Sequence, residues 1–194
     1  MIVKKYYLIY KVLNSLFLGL SVGTIFAIYA PLKQYIYSAG GVALGIGLIV
    51  VALFYDKILN IKAYFIFALL VELIMLGTVI SLLIFQFSYI NALGIYVSYQ
   101  IVFMFGSYLL RAETLIVQNS TFLSRIDIAK QIGYILGMVG SFGFYKIIEE
   151  LYHINDNQTQ VYFMHFILVF VQVFIIITLI KSFRNIKCKK MSKK

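Results

Sequence analysis

Charge is scarce in this chain, and so are the residues that usually punctuate or staple a fold. Of 194 residues only 12% are charged against 62% apolar, with one proline, one cysteine and no tryptophan. So few polar side chains cannot coat a water-soluble globule, which excludes an ordinary soluble domain. The lone cysteine, Cys188, excludes an internal disulfide and a cysteine-rich metal site. His153 and His165 are too few for a metal cluster, and no Walker-type phosphate loop, His-Glu-x-x-His or Gly-x-Ser-x-Gly motif occurs. The sequence therefore points away from an enzyme, and no metal or cofactor is expected.

What the chain does contain is six long apolar runs, about 7–31, 36–55, 63–86, 90–117, 129–148 and 160–181. A helix needs roughly 20 residues to cross a hydrocarbon core at about 1.5 Å per residue. The expected fold is an all-α polytopic membrane protein, one six-helix domain over 1–194 with a basic tail at 182–194. Pro31, unable to donate a hydrogen bond, marks the end of the first run. The segment 118–127 is ambiguous: an interfacial helix, or an extension of the fourth span. The first run is longer than a signal-peptide core, and Ile25 and Ile28 stand where a cleavage site wants small residues, so it is expected to stay as a helix.

Basic residues resist translocation and collect in cytoplasmic loops. Of the 17 Lys and Arg, all but Lys33 and Lys146 fall on one side, from Lys4, Lys5 and Lys11 through Lys57, Lys62, Arg111, Arg125 and Lys130 to the tail. Both termini are thus expected in the cytoplasm, most simply at a bacterial inner membrane. The net charge of +10 reads as this topological anchor, and a nucleic-acid partner is not expected. Tyr6, Tyr7, Tyr10, Tyr35, Tyr37, Tyr55, Tyr64, Tyr89, Tyr152 and Tyr162 fall near the ends of the runs and read as an interfacial belt. Asn157-Gln158-Thr159 matches a glycosylation acceptor, and Cys188 an acylation site, both short patterns that carry no function alone.

Polar residues inside the runs are the functional candidates, because a charge at mid-membrane costs roughly 2.5–3.5 kcal/mol by insertion scales. Glu72 is enclosed by apolar neighbours on both sides and is expected to face the bundle interior as a substrate or proton site, or as a buried structural acid. Arg111 and Glu113, two apart, point in different directions on a helix. Arg111 is expected either to snorkel to the interface or to pair with Glu72. Asn14, Gln100, His165 and Gln172 are interhelical hydrogen-bonding candidates, the last two sharing a face seven residues apart. Gly19 and Gly23, Gly41 and Gly45, and Gly133 and Gly137 have the four-residue spacing that lets helix backbones approach, and read as packing sites. Glycine-dense second and fifth spans are what two three-helix inverted repeats would give.

Six helices, cytoplasmic ends, a basic turn between the second and third spans and glycine-rich spans two and five together resemble one half of a major facilitator superfamily transporter. That family carries Gly-x-x-x-Asp-Arg/Lys-x-Gly-Arg-Arg/Lys in this turn; here the stretch from Ala52 to Lys62 keeps Asp56 and Lys57 and lacks the glycines. The resemblance implies a half-size secondary transporter of a small solute, working as a homodimer or with a second half, with a cavity lined by spans one and four. It makes Asp56 and Lys57 gating-turn residues and Glu72 a proton-coupling acid. The alternative from another class is a non-transporting membrane subunit, either a substrate-capture component of an ATP-driven transporter or a scaffold for another membrane protein.

Overall fold

The computed structural model describes residues 2–29, 32–86 and 88–184, all helical apart from short links. Pro31, Cys188 and the rest of the tail from 185 onward lie outside the described residues. In chain order the helices are α1 (Lys4–Tyr29), α2 (Gln34–Leu53), the single-turn α3 (Tyr55–Ile58), α4 (Ile61–Phe85), α5 (Tyr89–Val117), α6 (Ser120–Tyr152) and α7 (Asn157–Ser182).

Short polar residues at the links start the helices by capping orphan amides. Asn60 Oδ1 accepts from the Lys62 and Ala63 amides at 3.1 and 3.0 Å, Ser88 Oγ from Asn91 at 3.2 Å, and Asn119 Oδ1 from Phe122 at 2.8 Å. Asp156 Oδ2 accepts from the Thr159 amide at 2.8 Å and its hydroxyl at 2.7 Å. Gln118 and His153 end α5 and α6 in the left-handed region, at φ 49° and 55°. The cap at Asn119 settles the ambiguous 118–127 segment. It belongs to α6, which therefore runs 33 residues, rather than to the fourth span.

Among the described residues, α1, α2, α4, α5 and α7 are long and apolar enough to cross a membrane. Helix α6 is longer than any of them but mixes Lys130, Gln131, Lys146 and four glycines into its apolar run. The outer surface is apolar, as in Val42, Ile46, Ile84, Ile90, Phe142 and Leu151, and suits a hydrocarbon surrounding rather than water.

The helices form a row of neighbours, α6–α1–α7–α4–α5–α2. If the long helices are taken as two successive triplets, α1, α2, α4 and α5, α6, α7, exchanging the triplets reproduces this row read backwards. The tightest seam is α1 against α6, and glycine makes it. A methyl on Gly133 would strike the Val12 carbonyl, one on Gly19 the Tyr134 carbonyl, and one on Gly137 would lie 2.9 Å from the Gly19 Cα. A methyl on Gly23 would lie 3.3 Å from the Tyr145 ring. On α2 the expected pair is corrected: Gly41 and Gly45 face open space, and Gly40 and Gly47 instead meet Tyr96 and Met104 of α5. One-residue offsets turn a helical position by about 100°, which is why the spacing alone selected the wrong face.

Candidate functional site

The site is built on one face of α1. Tyr7, Tyr10, Lys11 and Asn14 stand at i, i+3, i+4 and i+7, so their side chains rise in line toward α4 and α5. Two carboxylates meet this ladder at different depths.

The first is Glu113 of α5, 3% exposed and four residues before the helix ends. Lys11 Nζ lies 2.6 Å from its Oε1, Lys130 Nζ of α6 donates to its Oε2 at 2.8 Å, and the Tyr7 hydroxyl donates to Oε1. Tyr64 of α4 closes the group, 2.6 Å from the Tyr7 hydroxyl and accepting from Lys11 at 3.3 Å. Lys130 also reaches the exposed Asp127 at 3.3 Å.

The second is Glu72 of α4, 1% exposed and eleven residues into its helix, about 16 Å along the axis. Its Oε1 accepts from the Tyr10 hydroxyl and Asn14 Nδ2, both at 2.9 Å. Its Oε2 accepts from Gln172 Nε2 of α7 at 2.8 Å, and the same nitrogen donates to the Glu72 backbone carbonyl at 2.9 Å. All three side-chain donors are neutral. Among the described residues no Lys, Arg or His lies within ion-pair distance of Glu72.

These pairs join α1, α6 or α7 on one side to α4 or α5 on the other. Hydrogen-bonded carboxylates at such burial are tolerated only where donors replace the lost hydration, and here every carboxylate oxygen has at least one. A groove of about 290 Å³ opens along the ladder between α1 and α5. Tyr10, Phe17, Tyr99 and Phe103 contribute aromatic wall, with Glu72 and Gln172 at its floor and Lys11, Glu113 and Lys130 at one end. A larger groove of about 640 Å³ between α4 and α5 is lined by Gly77, Ser81, Asn91, Gly94 and Ser98 and their apolar neighbours, without an ionisable residue. The acid–base chemistry is confined to the smaller one.

Of the residues singled out from sequence, Glu72, Asn14 and Gln172 converge, with Glu113 in the adjoining group. For Arg111 the pairing with Glu72 is corrected. The arginine is exposed, has no ion pair among the described residues, and does not reach Glu72, because a two-residue offset from the inward Glu113 turns it outward. His165 is buried, but its Nδ1 lies 2.7 Å from the Val161 carbonyl of its own helix, apart from the carboxylates. Gln100 does not line the groove, and its Oε1 has no hydrogen-bond partner among the described residues. Asp56 and Lys57 are exposed on α3. No group of three metal-ligating side chains occurs among the described residues.

The sequence reading missed Lys11 and Lys130, counted as topological anchors, and Tyr7, Tyr10 and Tyr64, counted as an interfacial belt. Those tyrosines are 1–3% exposed, their hydroxyls held by carboxylates or by one another. The signal was present: a lysine seven residues inside an apolar helix, flanked at helical spacing by two tyrosines and an asparagine. Comparison with protein-family models, curated proteins and solved structures gives no match.

Proposed function

We propose that this chain is an integral membrane protein of six spans that works as a half-size secondary transporter of a small solute, paired with a second copy or a second six-helix half. The observation that carries the reading is Glu72: an acid at mid-helix in an apolar bundle, held by neutral donors on the floor of a groove. Ionisable groups so placed mark substrate or proton pathways by default. In this reading α6 supplies the sixth span with its 129–148 segment, and its first turns project into the cytoplasm.

Charge supports that orientation even after Lys11 and Lys130 are moved from the loops into the bundle, since the remaining basic residues still lie opposite Lys33 and Lys146. The neighbour row supports two three-helix inverted repeats, because antiparallel triplets related by a two-fold axis in the membrane plane would give a row unchanged by exchange. The axis then passes between α4 and α7, beside the Glu72–Gln172 hydrogen bond, and between α1 and α5, the groove walls. The volume of about 290 Å³ is at the small end for a solute site and suits one wall of a cavity completed by a partner.

Mechanistically, Glu72 exchanges a proton or solute from the groove while the Glu113–Lys11–Lys130 group holds α1, α5 and α6 together at the cytoplasmic end. Opening that end requires these ion pairs to part. The test is reconstitution in liposomes: an imposed pH gradient should be discharged by solute addition, and Glu72→Gln should abolish the discharge while leaving the oligomeric mass in lipid discs unchanged. A protein that neither associates nor responds to a gradient is not a transporter.

A non-transporting subunit is favoured by one observation, the isolation of α2. Only Val51 of its 20 residues is buried, and its principal neighbour is α5. On that reading α2 is the docking helix for another membrane protein, and neutralising Glu72 should leave partner capture intact.

A further inference from the structure

Gln172 is 0% exposed, and its amide orientation is fixed by chemistry. Its nitrogen faces two acceptors, the Glu72 carbonyl and Oε2, at 2.9 and 2.8 Å. Turning the amide over would set oxygen against oxygen twice, so the nitrogen stays and Oε1 is left without a partner among the described residues. A buried acceptor without a donor costs about 1–3 kcal/mol. Gln172 is among the residues that line the groove, beside a carboxylate that has only neutral donors.

One acceptor without a donor, beside a carboxylate whose hydrogen-bond donors are all neutral and which has no cation at ion-pair distance among the described residues, specifies the missing group. It must be positively charged and rich in N–H. Lys11 does not fill this role, since it is committed to Glu113 at 2.6 Å and Tyr64 at 3.3 Å. Lys130 is likewise committed to Glu113 and Asp127. The walls add to the specification, because Tyr10, Phe17, Tyr99 and Phe103 offer ring faces and edges to an alkyl chain or to the cation itself.

We infer that the Glu72–Gln172 floor of this groove binds a small primary ammonium, its three N–H donors shared between the Glu72 carboxylate and Gln172 Oε1 and its alkyl part against the aromatic walls. This deepens the transporter reading and rests on it for the claim that the bound ammonium is cargo. An anion is disfavoured at this floor by the carboxylate, and a neutral alcohol supplies a donor but no charge.

The experiment uses the full chain in lipid discs and three isosteric probes: butylammonium, butanol and butyrate. Butylammonium should raise the unfolding temperature and bind saturably, with the other two inert. Glu72→Gln should raise the dissociation constant for butylammonium at least about 30-fold, as expected when one partner of a buried charge pair is removed. Arg111→Gln, at an exposed position outside the groove, should leave it within about threefold of the wild type. Should Glu72→Gln fail to fold, the wild type still locates the site: dicyclohexylcarbodiimide should label the Glu72 peptide, and butylammonium but not butanol should protect it.

Preference for butyrate, equal effects of all three probes, no binding, or labelling indifferent to butylammonium each overturn the inference. Failure here is separable from failure of the transporter reading. A protein that discharges a pH gradient through Glu72 yet ignores butylammonium is a transporter of something else, and one that binds butylammonium without moving it retains the site and loses the transport.

Discussion

Lys11 Nζ and Glu113 Oε1 meet at 2.6 Å across two helices that otherwise touch sparingly, with the lysine side chain 12% and the acid 3% exposed. The ion pair, not apolar packing, is the main direct tie between α1 and α5. Glu113→Gln should therefore cost about 3–5 kcal/mol, because it strands a buried ammonium. Lys11→Met with Glu113→Gln should be less damaging than the sum of the two singles by at least about 1 kcal/mol, read by thermal unfolding in mild detergent.

Arg111 should behave oppositely. Exposed and unpaired among the described residues, Arg111→Gln should change stability by no more than about 0.5 kcal/mol. Combined with Glu72→Gln its effect should simply add. Coupling between the two, measured by a double-mutant cycle, would restore the pairing that the geometry denies.

Glycine substitutions should separate two classes of site. Gly133→Ala and Gly137→Ala drive a methyl into the α1 backbone and should destabilise the fold by about 1–3 kcal/mol, as overpacking does. Gly41→Ala and Gly45→Ala point into open space and should be neutral, or stabilising by up to about 1 kcal/mol through helix propensity. Thermal unfolding of the four variants decides it.

The proposed six-span topology predicts sidedness. With Cys188 replaced by serine, single cysteines at Asp56 and Ser120 should react with an impermeant thiol reagent only from the cytoplasmic face. Cysteines at Gln86 and Asn157 should react only from the other. Labelling of Asn157 and Ser120 from one side would mean that α6 does not cross.

Asp156 offers a pH test outside the spans. The Thr159 hydroxyl and amide donate to its exposed carboxylate and hold it below the usual value of 3.8. A carboxyl lowered in the folded state contributes fully above its unfolded value and loses that contribution as pH falls through the lowered one. The Thr159 amide resonance should titrate with a midpoint below 3.8, and Asp156→Asn should abolish the titration while keeping a cap.

Long uniform signals were legible in the sequence: five of the six apolar runs place their helices within three residues, α6 begins nine residues before its run, and Glu72, Asn14 and Gln172 stand out as polar residues in apolar surroundings. Residues with two plausible roles were not. Lysine near a helix end reads equally as a loop anchor or a buried partner, and only the arrival of Glu113 from a helix a hundred residues away distinguishes them. Tyrosine has the same ambiguity, since its hydroxyl suits either headgroups or a buried carboxylate. The register of α2 failed for a simpler reason: its glycines occur on both faces, and periodicity cannot choose between Gly40 and Gly41.

The neighbour row also bears on how the chain is made. Helix α1 leaves the ribosome well ahead of its tightest partner, α6, whose docking glycines appear more than a hundred residues later. Until then the Val12 and Leu16 carbonyls and the flat strip at Gly19 face whatever surrounds the nascent helix. A product truncated before Ser120 would keep Glu113 for Lys11 but leave that strip uncovered, a natural handle for the insertion and quality-control machinery to hold or discard.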